Sequence, residues 1–224
     1  CVPARMSLFT GRYVHQHRRF GNDAGLWPEA PNLVRAMRDA GYLTGCRGKL
    51  HLFWRHDNEL LMSDPMLREF GFVDPMETTG KCSEGRLRAS EYTEFLRRRG
   101  LLETHWKWLW ETVKNRSCGA SFAPSILAED EQQDGWIMDR GRELVNAHLD
   151  GDRPMFAWIG PEGPHDPFDP PGDWAKMYDP AEIDLPIDQA SGDLTTRDQA
   201  ARLGTYNMSQ DDIRRMRSLY YGNI

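Results

Sequence analysis

The run MFAWIG, residues 155–160, constrains the fold of this chain more than any other segment. It is an unbroken apolar run, which is typical of a strand buried on both faces of a parallel sheet. The residues before it have helical apolar spacing through Ile137, Leu144 and Val145. A helix followed by a fully apolar strand is the repeating step of an α/β fold.

The same step occurs earlier in the chain. Leu33, Met37 and Ala40 recur at helical spacing, and Gly41 is placed to end that helix. The segment YLTGC, residues 42–46, then has the length and apolar content of a short strand. Together the two steps predict an α/β fold with a mostly parallel sheet flanked by helices.

Two further helices and one ambiguous segment are indicated. SEYTEFLRRRG begins with Ser90 as an N-cap and ends at Gly100, and SQDDIRRMRSLYYGNI begins with Ser209 as an N-cap and Asp212 in its first turn. WKWLWETV, residues 106–113, allows a helix or a strand. Its three tryptophans predict core packing, with a surface that stacks on a ring as the alternative.

Composition narrows the class of protein. The 224 residues are 39% hydrophobic, which is enough for a sizeable core. The net charge of −6 argues against nucleic acid as the main partner. No stretch approaches the roughly 20 apolar residues of a membrane span. Pro65 and Pro75 weaken the periodic pattern, so residues 52–125 are predicted to be a long irregular excursion.

The four cysteines, Cys1, Cys46, Cys82 and Cys118, are far apart in the sequence. They lack the close pairs of a structural zinc site and the density of a disulfide framework. Cys46 lies in an apolar-flanked segment and is predicted to be a small buried residue. Cys1 keeps five interpretations open: a disulfide half, a metal ligand, a nucleophile, a small buried apolar residue, or the precursor of a modified residue.

Cys1 and Arg5 form the first candidate site. If Pro3 occupies the first turn of a helix, where its missing N–H costs nothing, Cys1 lies at the helix N-terminus. A group there faces the positive end of the helix dipole, and Arg5 adds a cation one turn on. This arrangement suits an anion, although a buried or free thiol is the simpler interpretation of a lone cysteine.

Two further candidate sites follow predicted strands. Lys49 and His51 leave the first strand with one residue between them, which places both on one face of an extended segment. His165 follows the second strand, between two prolines. Because the carboxyl ends of parallel strands share one edge of a sheet, these side chains and Cys1 are predicted to meet there. A nucleophile, two cations and two imidazoles are suited to transferring a tetrahedral oxyanion group.

Four segments together resemble the type I sulfatases of the alkaline-phosphatase-like superfamily. CVPARMSLFTG resembles their C-x-P-x-R-x-x-x-x-T-G signature, and GYLTGCRGKLH is similar to their second signature. FAWIGPEGPHDPFDPP resembles the segment that carries a further active-site histidine, and RSLYYGNI the helix before the distal metal ligands. The resemblance implies an arylsulfatase-like sulfuric ester hydrolase that acts on a sulfated small molecule or glycan. Residues 1–224 would belong to its N-terminal catalytic domain, with 52–125 as an insertion shaping the substrate pocket.

The resemblance also implies that Cys1 is oxidised after translation to formylglycine (3-oxoalanine) by a formylglycine-generating enzyme. In that family the aldehyde hydrate attacks sulfur to give a covalent sulfo-enzyme, and deprotonation of its second hydroxyl expels sulfate. If the nucleophile were an ordinary serine or cysteine, a water molecule would have to reach and cleave the covalent ester.

The remaining roles are implied residue by residue. Arg5 would hold and polarise the formylglycine hydrate, and Lys49 would grip the sulfate. His51 would hydrogen-bond the hydrate and act as the base of the elimination step. His165 would lie near the bridging ester oxygen and assist the leaving group. Lys49, His51 and His165 would therefore also be the substrate-binding residues.

A divalent cation, most often Ca²⁺, is implied at the formylglycine derived from Cys1, where it would withdraw charge from sulfur. The acidic ligand pairs of the family and its second active-site lysine are not found in this sequence. They are expected outside this chain, which would then be an internal piece of a sulfatase. Asp211 and Asp212 are predicted to be helix-cap residues. His15 and His17 lack a third ligand and are predicted to have surface or hydrogen-bonding roles.

Three alternatives stay open. A phosphonate monoester or phosphodiester hydrolase of the same superfamily would use the same nucleophile, although the pair of Lys49 and His51 favours sulfate. An N-terminal nucleophile hydrolase would explain Cys1 but not Pro3 or Arg5. An inactive fragment without the metal ligands would keep the fold alone.

Overall fold

The computed structural model describes residues 1–22, 25, 30–52, 64–82, 90–114, 121–185 and 208–224. Its first helices are α1 (Val2–Thr10), α2 (Val14–His17), α3 (Leu33–Asp39) and α4 (Asp64–Phe70). Further along are α5 (Glu91–Arg98), α6 (Leu102–Lys114), α7 (Gln133–Asn146) and α8 (Gln210–Gly222). The strands are β1 (Leu43–Gly48), β2 (Asp74–Glu77) and β3 (Met155–Gly160), and two 3₁₀ helices cover Gly172–Lys176 and Pro180–Glu182. Cys118 lies outside the described residues.

Two compact units divide the chain. The first comprises Cys1–Glu94 and Gln133–Glu162, and contains all three of these strands. The second comprises Phe95–Gln132 and Gly163–Ile224, and contains α6 and α8.

The sheet has the order β2–β1–β3, and both pairs of strands are parallel. In the register, Gly45 of β1 lies opposite Asp74, and Cys46 lies opposite Trp158. Helices precede and follow the strands along the chain, so the predicted α/β fold with a parallel sheet is confirmed.

The two faces of the sheet are covered by different helices. Cys46 is fully buried and belongs to the core cluster that α1 enters through Val2, Met6 and Phe9. Side chains alternate along a strand, so the neighbouring Gly45 points to the opposite face. A Cβ at Gly45 would be 2.8 Å from a methyl group of Leu144 in α7. Helix α7 therefore covers that face.

Burial raises the pKa of the Cys46 thiol, which keeps the group protonated. The thiol therefore behaves as a small apolar side chain in the core. This confirms the prediction that Cys46 is buried.

The predicted helix starts and stops are confirmed. Gly41 follows α3 with φ of +95°, which is easily accessible only to glycine. Ser90 accepts a hydrogen bond at Oγ from the Thr93 N–H, at 3.1 Å, before α5. Ser209 caps α8 by accepting from the Asp212 N–H at 3.1 Å, and its own hydroxyl donates to the Asp212 carboxylate. β1 runs two residues further than predicted, to Gly48.

Two burial predictions are wrong. The residues of β3 are half-buried rather than buried on both faces, except for Gly160. WKWLW is helical, yet Trp110 is 55% exposed and the other two tryptophans are half-buried. Residues two apart on a helix are turned by about 200°, so tryptophans at this spacing spread around α6. Its buried face is marked instead by Leu102 and Leu109.

Within residues 52–125, the helix predicted to begin after Ser90 is present as α5, and the described residues also contain α4, β2 and α6. The predicted role of this segment in shaping the substrate pocket stays a prediction. None of the described helices is long and apolar enough to cross a membrane.

Candidate functional site

Cys1 is the N-cap of α1, and Pro3 lies in the first turn, as the sequence predicts. The Cys1 side chain makes no capping hydrogen bond and is exposed. Instead, the Asn22 side chain accepts a hydrogen bond from the Val2 N–H at 3.0 Å. Asn22 therefore satisfies part of the helix N-terminus and leaves the Cys1 side chain for other contacts.

The burial of one face of α1 fixes Cys1 in place. Val2, Met6 and Phe9 are each at most 2% exposed, and they recur at the i, i+4, i+7 spacing of one helical face. Phe9 packs against Phe70 and Trp158, with ring centroids 5.7 Å and 4.8 Å apart. Burying each such side chain contributes about 1.5–3 kcal/mol, so the start of α1 is anchored to the sheet.

His51 contacts Cys1 directly. Its Nδ1 atom lies 3.2 Å from Cys1 Sγ, within hydrogen-bonding distance for sulfur. The His51 backbone has φ of +53°, in the left-handed region, and its N–H donates to Glu77 Oε1 at 3.3 Å. The predicted extended arrangement of Lys49 and His51 is therefore wrong, because the chain turns after β1 instead of continuing as a strand.

Arg5 ties α1 to this turn. Its guanidinium donates to the backbone oxygen of Lys49 at 2.6 Å and to that of Leu50 at 3.3 Å. It also lies over the Trp158 ring, 5.6 Å from the centroid. Burial lowers the pKa of Arg5, while Glu162 and Glu77 raise it, but arginine stays protonated at ordinary pH. The structure thus brings Cys1, Arg5 and the Lys49 backbone together.

Two glycines allow the ends of β1 and β3 to approach closely. Gly48 has φ of +92°, and a Cβ there would lie 2.3 Å from the Gly160 backbone oxygen. A Cβ at Gly160 would lie 2.6 Å from the Lys49 oxygen. The Lys49 N–H donates to the Gly160 oxygen at 2.8 Å. Glycine at both positions therefore sets the turn that carries Lys49.

The Lys49 side chain is buried in an ion pair. Its Nζ donates to Glu162 Oε2 at 2.7 Å, and the side chains of Lys49 and Glu162 are 8% and 0% exposed. Gly80 leaves room for the ammonium group, because a Cβ there would be 3.1 Å from Nζ. A buried charge of this kind is tolerated only when it is paired.

A second pair lies beside the first. Lys81 is 4% exposed at its side chain, and its Nζ lies 3.5 Å from Asp134 Oδ2. Asp134 Oδ1 accepts a hydrogen bond from the Glu162 N–H at 2.5 Å. Lys49, Lys81 and Glu162 follow β1, β2 and β3 respectively, and Asp134 lies in the first turn of α7. The buried charges therefore collect at the carboxyl edge of the sheet, where α/β proteins commonly bind ligands.

Glu162 was missed by the sequence analysis. Glu162 follows the apolar run of β3 in the segment GPEGPH, a position that could have marked it as a candidate. His165 in the same segment was assigned instead. Burial raises the pKa of Glu162 to about 7, against the lowering effect of Lys49, with Asp134 raising it and Lys81 lowering it. A carboxyl group with such a pKa exchanges protons near neutral pH.

The ionisation of Glu162 is expected to make stability depend on pH. The folded-state pKa of Glu162 lies above the ordinary value of 4.5. The stabilisation contributed by the protonated carboxyl group is therefore complete below pH 4.5 and is lost as pH rises through about 7. The lost free energy of unfolding is about 3 kcal/mol. We expect Glu162→Gln to gain stability relative to the wild type between pH 5 and pH 8, by about 2–3 kcal/mol. Denaturant unfolding at both pH values measures this.

The matched control for this measurement is Glu91→Gln, which changes an exposed carboxylate at the start of α5. Its stability relative to the wild type should vary much less between the two pH values. A Glu162→Gln difference that is equally independent of pH would contradict the buried, proton-exchanging carboxyl group.

His165 belongs to the second unit, and its predicted approach to Cys1 stays a prediction. Its side chain is 54% exposed, and Nδ1 lies 2.6 Å from the backbone oxygen of Asp166. A carbonyl oxygen only accepts hydrogen bonds, so Nδ1 carries a proton. Nε2 is then the acceptor in the neutral ring and a donor only in the charged ring.

No group of three or more His, Cys, Asp or Glu side chains in the described part of the chain could hold a metal ion. His17 Nε2 lies 3.0 Å from Ser7 Oγ, while its Nδ1 accepts from the Arg19 N–H at 3.2 Å. The predicted hydrogen-bonding role of His17 is confirmed. Asp211 and Asp212 lie in the first turn of α8, and the Asp212 carboxylate accepts a hydrogen bond from the hydroxyl of the N-cap residue Ser209.

Three known proteins illustrate what the chain is similar to. A family model described as Sulfatase matches residues 1–224. An arylsulfatase of Clostridium perfringens is 23% identical, over 100% of this chain and 46% of the relative. A choline-sulfatase of Rhizobium meliloti is 21% identical, over 100% of this chain and 42% of the relative. The solved phosphonate monoester hydrolase from Silicibacter pomeroyi has a TM-score of 0.66 and 23% identity, over 100% of this chain and 46% of that chain.

The structural likeness confirms the predicted alkaline-phosphatase-like α/β fold. The chain spans less than half the length of the two curated relatives, 46% and 42%.

Proposed function

The chain belongs to the sulfatase family, and we propose that it carries the nucleophile and part of the anion site of a sulfuric ester hydrolase. Cys1 is the proposed precursor of formylglycine, produced by a formylglycine-generating enzyme. When present, the formylglycine hydrate supplies one hydroxyl to attack sulfur and a second hydroxyl whose deprotonation releases sulfate. The proposed substrate is an aryl, alkyl or sugar sulfate.

The observation that carries this proposal is the contact of Cys1 with His51 at the start of α1. Sγ and Nδ1 are 3.2 Å apart, so a ring nitrogen is within reach of the side chain that would be modified. Cys1 is exposed at this position, where the helix dipole favours an anion. His51 is the proposed proton acceptor for the oxygen that replaces Sγ.

The other proposed side chains bind the substrate or orient the nucleophile. Arg5 holds the turn after β1 through two backbone oxygens, and we propose that it also polarises the nucleophile. Lys49 is the proposed ligand of the sulfate oxygens. His165 is the proposed acid at the ester oxygen. Because its Nδ1–H faces the Asp166 oxygen, donation from Nε2 requires the protonated ring.

Sulfatases generally use a divalent metal ion, but the described residues do not supply its ligand set. Ca²⁺ takes roughly six to eight oxygen ligands. Cys1 instead lies beside a histidine ring. The Ca²⁺ ion and its ligation by the modified Cys1 therefore rest on the family resemblance alone.

The proposed substrate class is tested by parallel assays of the full-length protein, co-expressed with the modifying enzyme. The alternative is a phosphonate monoester or phosphodiester hydrolase, with which this fold is compatible. We expect kcat/KM for an aryl sulfate to exceed that for the matching aryl phosphonate by at least about 100-fold, equal to about 3 kcal/mol of transition-state binding. The reverse preference would support the alternative, and no hydrolysis of either would favour an inactive protein.

A further inference from the structure

The charge of the buried cluster changes with one proton. The cluster comprises Lys49, Lys81, Asp134 and Glu162, which are joined by the two ion pairs and by the hydrogen bond from the Glu162 N–H to Asp134. Two ammonium groups and two carboxylates sum to zero, so the ionised cluster has no net attraction for an anion. Protonation of one carboxyl group would leave a net charge of +1.

Glu162 is the carboxyl group built to take that proton. Oε2 accepts from Lys49, whereas Oε1 is buried and has no hydrogen-bond partner among the described residues. An ionised oxygen in this state is unfavourable, because nothing compensates for its lost hydration. Asp134 is different, since its Oδ1 accepts a hydrogen bond and Oδ2 faces Lys81.

We propose that Glu162 is a positioning residue that holds the Lys49 ammonium group in the unliganded protein and takes up a proton when an anion binds Lys49. The inference rests on the proposed function, in which Lys49 is a sulfate ligand. The hydrogen bond from Nζ to Oε2 gives way to one from Nζ to the anion. Glu162 gains one proton from solvent, and the Lys49 charge then faces the anion alone.

The surrounding charges support this exchange. Lys49 after β1 and Lys81 after β2 favour the carboxylate form, whereas Asp134 of α7 and burial oppose it. Arg5 of α1 also interacts electrostatically with Glu162. A bound sulfate dianion would further disfavour the carboxylate form of Glu162, because its negative charge would lie near the carboxylate in a poorly solvated site. Anion binding and proton uptake are therefore linked.

Binding of inorganic sulfate to the full-length protein tests the proposal without requiring turnover. The pKa of Glu162 is about 7. If sulfate binds only when Glu162 is protonated, about one molecule in ten is able to bind it at pH 8, and most molecules are able to bind it at pH 6. We expect Glu162→Gln to bind sulfate about tenfold more tightly than the wild type at pH 8. At pH 6 the two affinities should be nearly equal. Taking this ratio cancels the effects of pH that both proteins share.

Asp74→Asn is the matched control, because it breaks an ion pair with Arg47 in the same sheet. Its sulfate affinity relative to the wild type should be the same at both pH values. A Glu162→Gln ratio that does not change with pH would overturn the proposal. So would weaker sulfate binding by Glu162→Gln at both pH values.

A second measurement needs only the wild type, in case Glu162→Gln does not fold. Calorimetry of sulfate binding at pH 8, in buffers with different ionisation enthalpies, should show uptake of nearly one proton. Absence of proton uptake, or of sulfate binding at pH 6, would overturn the inference. Intact pH-linked sulfate binding without ester hydrolysis would support the inference and count only against the proposed function.

Discussion

Replacing Cys1 with alanine is expected to lower kcat for aryl sulfate hydrolysis by about 10⁵-fold or more in the full-length protein. Removal of a nucleophile from a catalytic group that acts as a unit has effects of this size. The fold should survive, because the Cys1 side chain is exposed while Val2, Met6 and Phe9 anchor α1. The measurement is kcat with nitrophenyl sulfate, together with the unfolding transition of the variant.

Cys1→Ser tests the chemistry more sharply. A serine hydroxyl in this position is able to attack sulfur but has no second hydroxyl to expel sulfate. We therefore expect at most one covalently bound sulfate per protein molecule, seen as an added mass, and no sustained turnover. Cys82→Ala, at a cysteine outside the sulfatase-like signature, is the matched control and should keep its activity. Repeated turnover by Cys1→Ser would contradict the proposed role of the modified residue.

His165→Ala is expected to lower kcat by roughly 10²–10⁴-fold for alkyl or sugar sulfates, the range typical of a positioned acid or base. The oxygen that it would face gains charge only as the S–O bond breaks, so the loss should appear in kcat more than in KM. The loss should shrink for nitrophenyl sulfate, whose leaving group needs no proton. The measurement is kcat for leaving groups of graded pKa.

His15→Ala provides the control for this series. His15 is an exposed histidine that stacks on Tyr13, with ring centroids 5.8 Å apart. Its replacement should leave kcat unchanged for every leaving group. If His165→Ala lost the same factor across the whole series, His165 would be a sulfate ligand rather than the acid at the leaving group.

The elements of the fold were predictable because their signals are local. Ser209 and Ser90 cap helices with their own hydroxyls, and Gly41 adopts a positive φ after α3. Such contacts depend on residues within one or two turns of each other in the sequence. Cys1 could be placed at a helix start for the same reason, since Pro3 fits only certain positions of a helix.

Burial and side-chain partners were less predictable because they depend on distant residues. Trp110 is exposed although its apolar ring favours the core. The positive φ of His51 depends on the turn that Gly48 permits and on the Glu77 carboxylate. Neither the turn after Gly48 nor the hydrogen bond to Glu77 follows from the spacing of Lys49 and His51 in the sequence.

The buried cluster shows the same limit. Lys49 and Glu162 are 113 positions apart in the sequence, and only the parallel pairing of β1 and β3 brings them together. Lys81 requires β2 on the other side of β1 as well. Strand order is a property of the whole chain, so a single apolar run predicts a strand but not its neighbours.

Peptide mass spectrometry of Cys1 tests the central claim most directly. The motif CVPAR motivates it, because Cys1, Pro3 and Arg5 match the stretch that the modifying enzyme reads in sulfatases. Full-length protein that hydrolyses aryl sulfates and was co-expressed with the formylglycine-generating enzyme should contain Cys1 as the aldehyde or its hydrate. Quantitative recovery of the unmodified Cys1 thiol from such an active preparation would contradict the account.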